Sequence, residues 1–214
     1  MIQYPLFADI QDKKILVVGG GKIALRKING LLAAGASVTV IAPEMGTEVL
    51  RLGAESKIAL EKREYTKDDV KGNLLVIAAT DNPHVNTRVV HDAGEAGVLV
   101  NCIDGAVPGG FTVPSTIRRG KFTCALSTSG SVPYFAKQLR EFLEKKFYPA
   151  LGDDIESLES MRNEIISKTA PGETAEEGSE AGSTEGSKET AKWKAFEAKL
   201  KPHVDQIIET IDKQ

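Results

Sequence analysis

The chain has little of what ties small proteins together through covalent bonds or metals. It contains two cysteines, Cys102 and Cys124, among 214 residues. Two thiols cannot build a disulfide framework. Both sit in apolar, strand-like runs and read as buried reduced thiols of a cytosolic protein. The three histidines, His84, His91 and His203, do not combine with them at zinc-site spacing, so no metal site is expected. His84 is expected in the first turn of a helix and His91 on a helix surface. No apolar run is long enough to span a bilayer, and no N-terminal stretch reads as a signal peptide. The expected location is therefore cytoplasmic, with no membrane partner. Excess positive charge is also missing: Lys and Arg total 27 against 30 Asp and Glu, a formal charge of -3. Without a global basic field, no nucleic-acid partner is expected.

What remains is an ordinary globular composition, 41% hydrophobic and 27% charged. The length suits one α/β domain and a smaller appendage. Lys14–Val18 (KILVV) is a continuous apolar run that ends in three glycines, as a fully buried parallel strand does. A helix from Ile23 to about Ala34 follows, with Leu25, Ile28, Leu31 and Leu32 on one face and Gly35 as a stop. Ser37–Ala42 reads as a second buried strand. The alternation continues through a helix at Glu44–Leu52 and a short strand at Lys57–Glu61. Next come a strand at Leu74–Ala79, a helix at Asn82–Gly94 with Pro83 in its first position, and a strand at Val98–Ile103. Strands alternating with helices predict a doubly wound parallel sheet.

Beyond Gly105 the pattern changes. Phe111–Val113 and Phe122–Ser127 read as strands flanking a polar turn at Arg118, Arg119, Gly120 and Lys121. Helices are expected over Val132–Phe147 and Asp153–Lys168. The segment 169–190 lacks large apolar residues and reads as a flexible acidic loop. Lys192–Gln214 returns to helix, with Pro202 expected to divide it.

The chemistry-bearing feature is Gly19-Gly20-Gly21-Lys22-Ile23-Ala24, which fits G-x-G-x-x-A between a strand and a helix. Gly19 permits the tight turn, Gly21 lets backbone amides of Lys22 and Ile23 approach a pyrophosphate, and Ala24 allows close helix packing. The anion then meets a helix N-terminus. The alternative is a turn that merely connects strand to helix. Pro43 and Glu44 follow the second strand, roughly where an acid hydrogen-bonds a ribose hydroxyl, although a surface acid fits as well. No arginine follows to hold a 2′-phosphate, which favours NAD over NADP. Thr80, at the end of another central strand, is expected to face the cofactor. Asp104 stands at a strand's carboxyl end, where α/β sheets present ligands. Read alone, Asp104-Gly105 is also common turn chemistry.

Gly19–Lys27 (GGGKIALRK) with Gly35-Ala36, the lead-in Tyr4-Pro5-Leu6-Phe7, Ala78–Asp81 with Asn86, and Asn101–Asp104 occur in an order that resembles the precorrin-2 dehydrogenase family of siroheme biosynthesis. Phe111–Ser115, Ser127–Pro133 and Leu139-Arg140 extend the resemblance over about residues 1–150. It implies an NAD-dependent enzyme that oxidises precorrin-2 to sirohydrochlorin, and in some members also inserts ferrous iron. It implies a homodimer built by the segment after the Rossmann domain. The family's key aspartate maps onto Asp104, which becomes the expected general base. Substrate contacts are implied in the hydroxyl segment Ser127, Thr128 and Ser129, and the macrocycle's carboxylates make Arg118 a further candidate. A solvated turn and simple helix capping compete for those four residues. The segment 169–190 has no counterpart in the family.

The expected architecture is thus α/β: an N-terminal Rossmann doubly wound parallel sheet (1–113), a small strand-helix dimerisation and substrate segment (114–150), and a C-terminal helical region (151–214). The competing function is a non-catalytic NAD-sensing module, which needs neither a base nor a macrocycle slot.

Overall fold

The structure, a computed structural model, describes residues 3–105, 109–169 and 185–214. The chain folds as two compact units, Met1–Val113 and Pro114–Gln214.

The first unit runs β1 (Lys14–Val18), α1 (Lys22–Leu32), β2 (Ser37–Ile41), α2 (Thr47–Ala54), β3 (Ala59–Glu61), a 3-10 turn (Lys67–Val70), β4 (Leu75–Ala78), α3 (Pro83–Glu95) and β5 (Leu99–Cys102). The five strands form one sheet in the order β3-β2-β1-β4-β5, and every pair is parallel. Side chains alternate across a strand, so each strand feeds two cores. Ile15, Val17, Val38, Val40 and Ile77 pack with Ala24 and Ile28 of α1 and Val49 and Leu52 of α2. Leu16, Val18, Val76, Ala78 and Val100 pack on the other face with Val89 and Ala93 of α3. Burial on both faces explains the unbroken apolar runs in β1 and β4. The doubly wound Rossmann expectation holds.

Each sheet edge is short or covered. β3 has three residues. Along β5, Phe111 N–H donates to the Val100 carbonyl at 3.3 Å, and Asn101 Nδ2 donates to the Phe111 carbonyl at 3.0 Å. A Cβ on Gly109 would lie 2.5 Å from the Val100 oxygen, so only glycine lets the chain come this close.

The second unit contains β6 (Ser115–Arg119), β7 (Phe122–Leu126), α4 (Pro133–Lys146), α5 (Leu151–Thr169) and α6 (Glu185–Asp212). β6 and β7 form an antiparallel hairpin in which Arg119 pairs with Phe122. Ile117, Ala136 and Leu151 are buried, and Phe122 meets Phe147 edge-on at 4.9 Å. Gly120 and Gly152 nearly touch: a Cβ on Gly152 would lie 2.8 Å from the Gly120 nitrogen.

Several expectations need correction. The strand before the hairpin turn is Ser115–Arg119, not Phe111–Val113. The two-residue loop Gly120-Lys121 sets the register, and Gly120 supplies the positive φ of 52° it needs. Arg118 and Arg119 therefore lie in a strand rather than a turn. α2 begins at Thr47 rather than Glu44, because Gly46 N–H is engaged by the Gly20 carbonyl at 2.9 Å. α6 runs unbroken through Pro202. Proline removes one helical hydrogen bond, and here the flanking turns, packed on α5, carry the helix past it. The acidic loop expected over 169–190 is helical at both ends: Thr169 closes α5 and Glu185–Thr190 opens α6. Its remainder, 170–184, lies outside the described residues. Both cysteines are free thiols, half-buried rather than buried.

Candidate functional site

The parallel register brings the sequence candidates of the first unit to one edge. Val18 is level with Ile41 and Ala78, and Ala78 with Cys102. The residues after these strand ends are Gly19, Pro43 and Glu44, Thr80, and Asp104. Strand order reverses between β1 and β4, and such a switch point is where open α/β sheets hold their ligands.

The glycine turn is built by three different constraints. Gly19 has φ of 120°, and a Cβ there would lie 2.2 Å from the Ala79 oxygen. Gly20 has no unusual φ, yet a Cβ would lie 2.6 Å from the Glu44 oxygen and 2.9 Å from the Met45 Cα. Around Gly21 a Cβ would meet nothing within 4 Å. The space is open, and it faces the start of α1. Gly21 is the N-cap and offers no side-chain cap; the first turn holds no acidic residue. The first helical bond runs from Leu25 N–H to the Gly21 carbonyl at 3.0 Å. The earlier N–H groups, those of Lys22, Ile23 and Ala24, have no helical acceptor. This cradle fits a dinucleotide pyrophosphate. Lys22 and Ile23 are exposed beside it, as are Pro43 and Glu44.

On the other side of the switch point a hydrogen-bond chain joins two strand ends. Asn82 caps α3, its Oδ1 accepting from His84 N–H at 3.0 Å. One turn on, Asn86 is 1% exposed. Its Oδ1 accepts from Thr80 N–H at 3.1 Å and from the Thr80 hydroxyl at 2.7 Å. Its Nδ2 donates to the Thr80 carbonyl at 3.0 Å and to Oδ2 of Asp104 at 2.8 Å. The Cys102 thiol donates to Asp104 Oδ1 at 3.0 Å. Burial pushes this thiol's pKa up, and its hydrogen bond to Asp104 adds to the rise. Asp104 itself is exposed. Sequence reasoning gave Asn86 no role of its own. Only its motif position marked it, because a polar residue inside a helix usually reads as surface.

The remaining candidates belong to the second unit. Arg118 and Ser129 are exposed, and Ser129 has φ of 52°. Ser127 Oγ accepts from Ser129 N–H at 3.1 Å, and Thr128 Oγ1 from Val132 N–H at 3.2 Å. Ser127 and Thr128 thus shape the turn into α4. Arg119 differs from Arg118: it donates to the carbonyls of Phe147 and Glu144, both at 3.1 Å, and so closes the C-terminus of α4.

One histidine does join a cluster that the sequence did not suggest. Ligand atoms of His91, Asp92 and Glu95 lie within 4.8 Å of one another. Their partners are already protein groups. Asp92 is buried and accepts from the Tyr65 hydroxyl, and Glu95 pairs with Lys67 at 2.5 Å. His84 is exposed in the first turn of α3, as expected.

A doubly wound sheet with a glycine cradle at its switch point defines a dinucleotide-binding domain of the Rossmann class. Residues 6–115 match the family model described as "Putative NAD(P)-binding". The precorrin-2 dehydrogenase of Bacillus subtilis is 34% identical over 158 residues, which cover 74% of this chain and 97% of that protein. The siroheme synthase of Pseudoalteromonas translucida is 40% identical over 144 residues, 67% of this chain but 30% of that protein. That of Neisseria meningitidis serogroup C is 39% identical over 168 residues, 78% of this chain and 35% of that protein. The chain thus spans about a third of the siroheme synthases it matches. The solved structure of a precorrin-2 dehydrogenase, SirC, superposes with a TM-score of 0.67 at 23% identity, covering 99% of this chain and all of that one. That likeness concerns the fold. The chain belongs to the precorrin-2 dehydrogenase family.

Proposed function

We propose that this protein is an NAD-dependent dehydrogenase that oxidises precorrin-2 to sirohydrochlorin, a step of siroheme biosynthesis. The observation that carries this reading is the common edge shared by the glycine cradle and Asp104. One ligand can reach both. NAD, when bound, supplies the acceptor for the hydride that dehydrogenation removes. The α1 N-terminus, with Gly21, Lys22 and Ile23, holds its pyrophosphate. Pro43 and Glu44 line the ribose side, and Thr80 the opposite flank. Asp104 is the general base and takes the proton that leaves with the hydride.

The domain reading that goes with this function assigns 1–113 to NAD, 114–150 to dimerisation and substrate contact, and 151–214 to a helical region. Arg118, Ser127, Thr128 and Ser129 meet the carboxylates of the tetrapyrrole. Phe135 and Phe142, exposed on α4, suit a homodimer interface. Ferrous iron is a second substrate, inserted into sirohydrochlorin, where the product ring is the lasting ligand. The enzyme works in the cytoplasm, without nucleic-acid or membrane partners. Among the described residues, no helix is long and apolar enough to cross a membrane.

The test follows NADH absorbance with fresh precorrin-2 and NAD, without metal, in the wild type and Asp104→Ala. Turnover in the wild type and a drop of about 100-fold or more in a folded, NAD-binding variant is the expected result. Tight NAD binding without turnover in the wild type would replace the enzyme by a sensing module.

A further inference from the structure

We propose that Asn86 is a positioning residue that fixes the Asp104 carboxylate and locks it to the Thr80 end of β4; its catalytic part rests on the dehydrogenase reading above. A carboxamide has two donor hydrogens and two acceptor lone pairs. All four have partners within the site: Oδ1 faces the Thr80 N–H and the Thr80 hydroxyl, whose one hydrogen also has the Asn82 carbonyl at 3.0 Å, while Nδ2 donates to the Thr80 carbonyl and to Asp104. Such a group has no spare hydrogen bond through which to swing elsewhere.

The direction of the bonds carries the argument. Nδ2 is only a donor, so it holds Asp104 Oδ2 as an acceptor. The Cys102 thiol holds Oδ1 in the same sense. Both contacts suit a base awaiting a proton. The strand ends they join are Thr80, after β4, and Asp104, after β5; the backbone joins the same strands one step earlier, through Ile103 N–H to the Ala78 carbonyl at 3.1 Å. Asn86 reaches them from α3, whose N-terminus Asn82 anchors at the same place. Buried at 1% exposure, Asn86 is shielded from competing water, and its removal leaves the Thr80 amide and carbonyl without these partners. The group touches neither reacting atom. It acts through Asp104.

The test compares Asn86→Leu, which keeps the branched shape of the side chain without its polar atoms, with Asn86→Ala, which removes the donor to Asp104 and adds no charge. Each is made alone and with Asp104→Asn. Both single variants are expected to lose about 10- to 100-fold in kcat, with the KM for precorrin-2 within about threefold. Adding either to Asp104→Asn is expected to cost nothing further, because the residue it positions is already gone. A second readout needs no turnover: the pH midpoint of Cys102 alkylation is expected to fall in both variants as Asp104 leaves the thiol. An unchanged Cys102 midpoint in folded variants overturns the inference even if the wild type oxidises no precorrin-2. So does a kcat loss that is fully additive with Asp104→Asn, which marks a purely structural residue. A wild type without turnover, together with a shifted Cys102 midpoint, leaves the positioning intact and removes the dehydrogenase reading instead. Should Asn86→Leu fail to fold, Asn86→Ala decides alone.

Discussion

The Tyr65 hydroxyl donates a 2.9 Å hydrogen bond to Oδ2 of Asp92, 27 residues away, and both side chains are buried. Arg88 completes the arrangement. It donates to the Tyr65 carbonyl at 2.8 Å and stacks over the Tyr65 ring at 5.1 Å. The loop after β3 is thereby fastened to α3, the helix that carries Asn86.

Tyr65→Phe removes the donor and leaves Asp92 buried beside an apolar ring. The expected loss of stability is about 1–3 kcal/mol at neutral pH, measured by urea unfolding. The Tyr65 phenol is raised well above its ordinary value near 10, first by burial and then by the bond to Asp92. In the folded state it therefore keeps its proton at pH values where the unfolded chain has lost it. Bound protons are then fewer in the unfolded state, so stability falls as pH rises beyond about 10. Wild type is expected to show this alkaline decline, and Tyr65→Phe to show a shallower one.

Gly20 and Gly21 are neighbours with opposite reasons for being glycine. Gly20→Ala drives a methyl into the backbone of Glu44 and Met45, and a loss of several degrees in Tm is expected, on the order of 1–3 kcal/mol. Gly21→Ala meets only open space in the free protein and is expected to leave Tm unchanged. Its methyl stands in the cradle, so NAD affinity is expected to drop about tenfold or more by calorimetry. Equal effects of the two substitutions on Tm would remove the cradle reading of Gly21.

Arg118 and Arg119 offer the same kind of contrast. Arg119 holds two carbonyls at the end of α4, and Arg119→Ala is expected to destabilise the second unit by about 1–3 kcal/mol. Arg118→Ala, at an exposed strand position, is expected to keep the melting profile and raise the KM for the carboxylate-rich substrate. A melt shifted as far by Arg118→Ala as by Arg119→Ala would assign both to structure.

Most of the Rossmann unit was legible because its signals are local. The apolar runs of β1, β2 and β4, the three glycines and the Asn82-Pro83 start of α3 each announce themselves within a few residues. What was not legible depends on partners distant in sequence. The true strand opposite β7 follows from a two-residue turn that sets the register, whereas Phe111–Val113 has a strand's composition but lies beside β5. Asn86 looks like an ordinary polar position on a helix until Thr80 and Asp104 fold against it. The different fates of Arg118 and Arg119 depend on which side of one strand each occupies, and alternation cannot be counted from a misplaced start. Pro202 shows the limit of a local rule: a helix packed on a neighbour continues through a residue that ends many isolated ones.

The edges of the sheet bear on how copies of the chain can meet. An unprotected outer strand invites another chain to add a strand of its own. Here one margin has only the three residues of β3, and the other is sealed by the glycines ahead of Phe111. Among the described residues, this five-stranded sheet leaves no long ladder to extend. Self-association through backbone zippering is therefore disfavoured at both margins of this five-stranded sheet, which leaves the β6-β7 hairpin of the second unit as the place where a strand could be added.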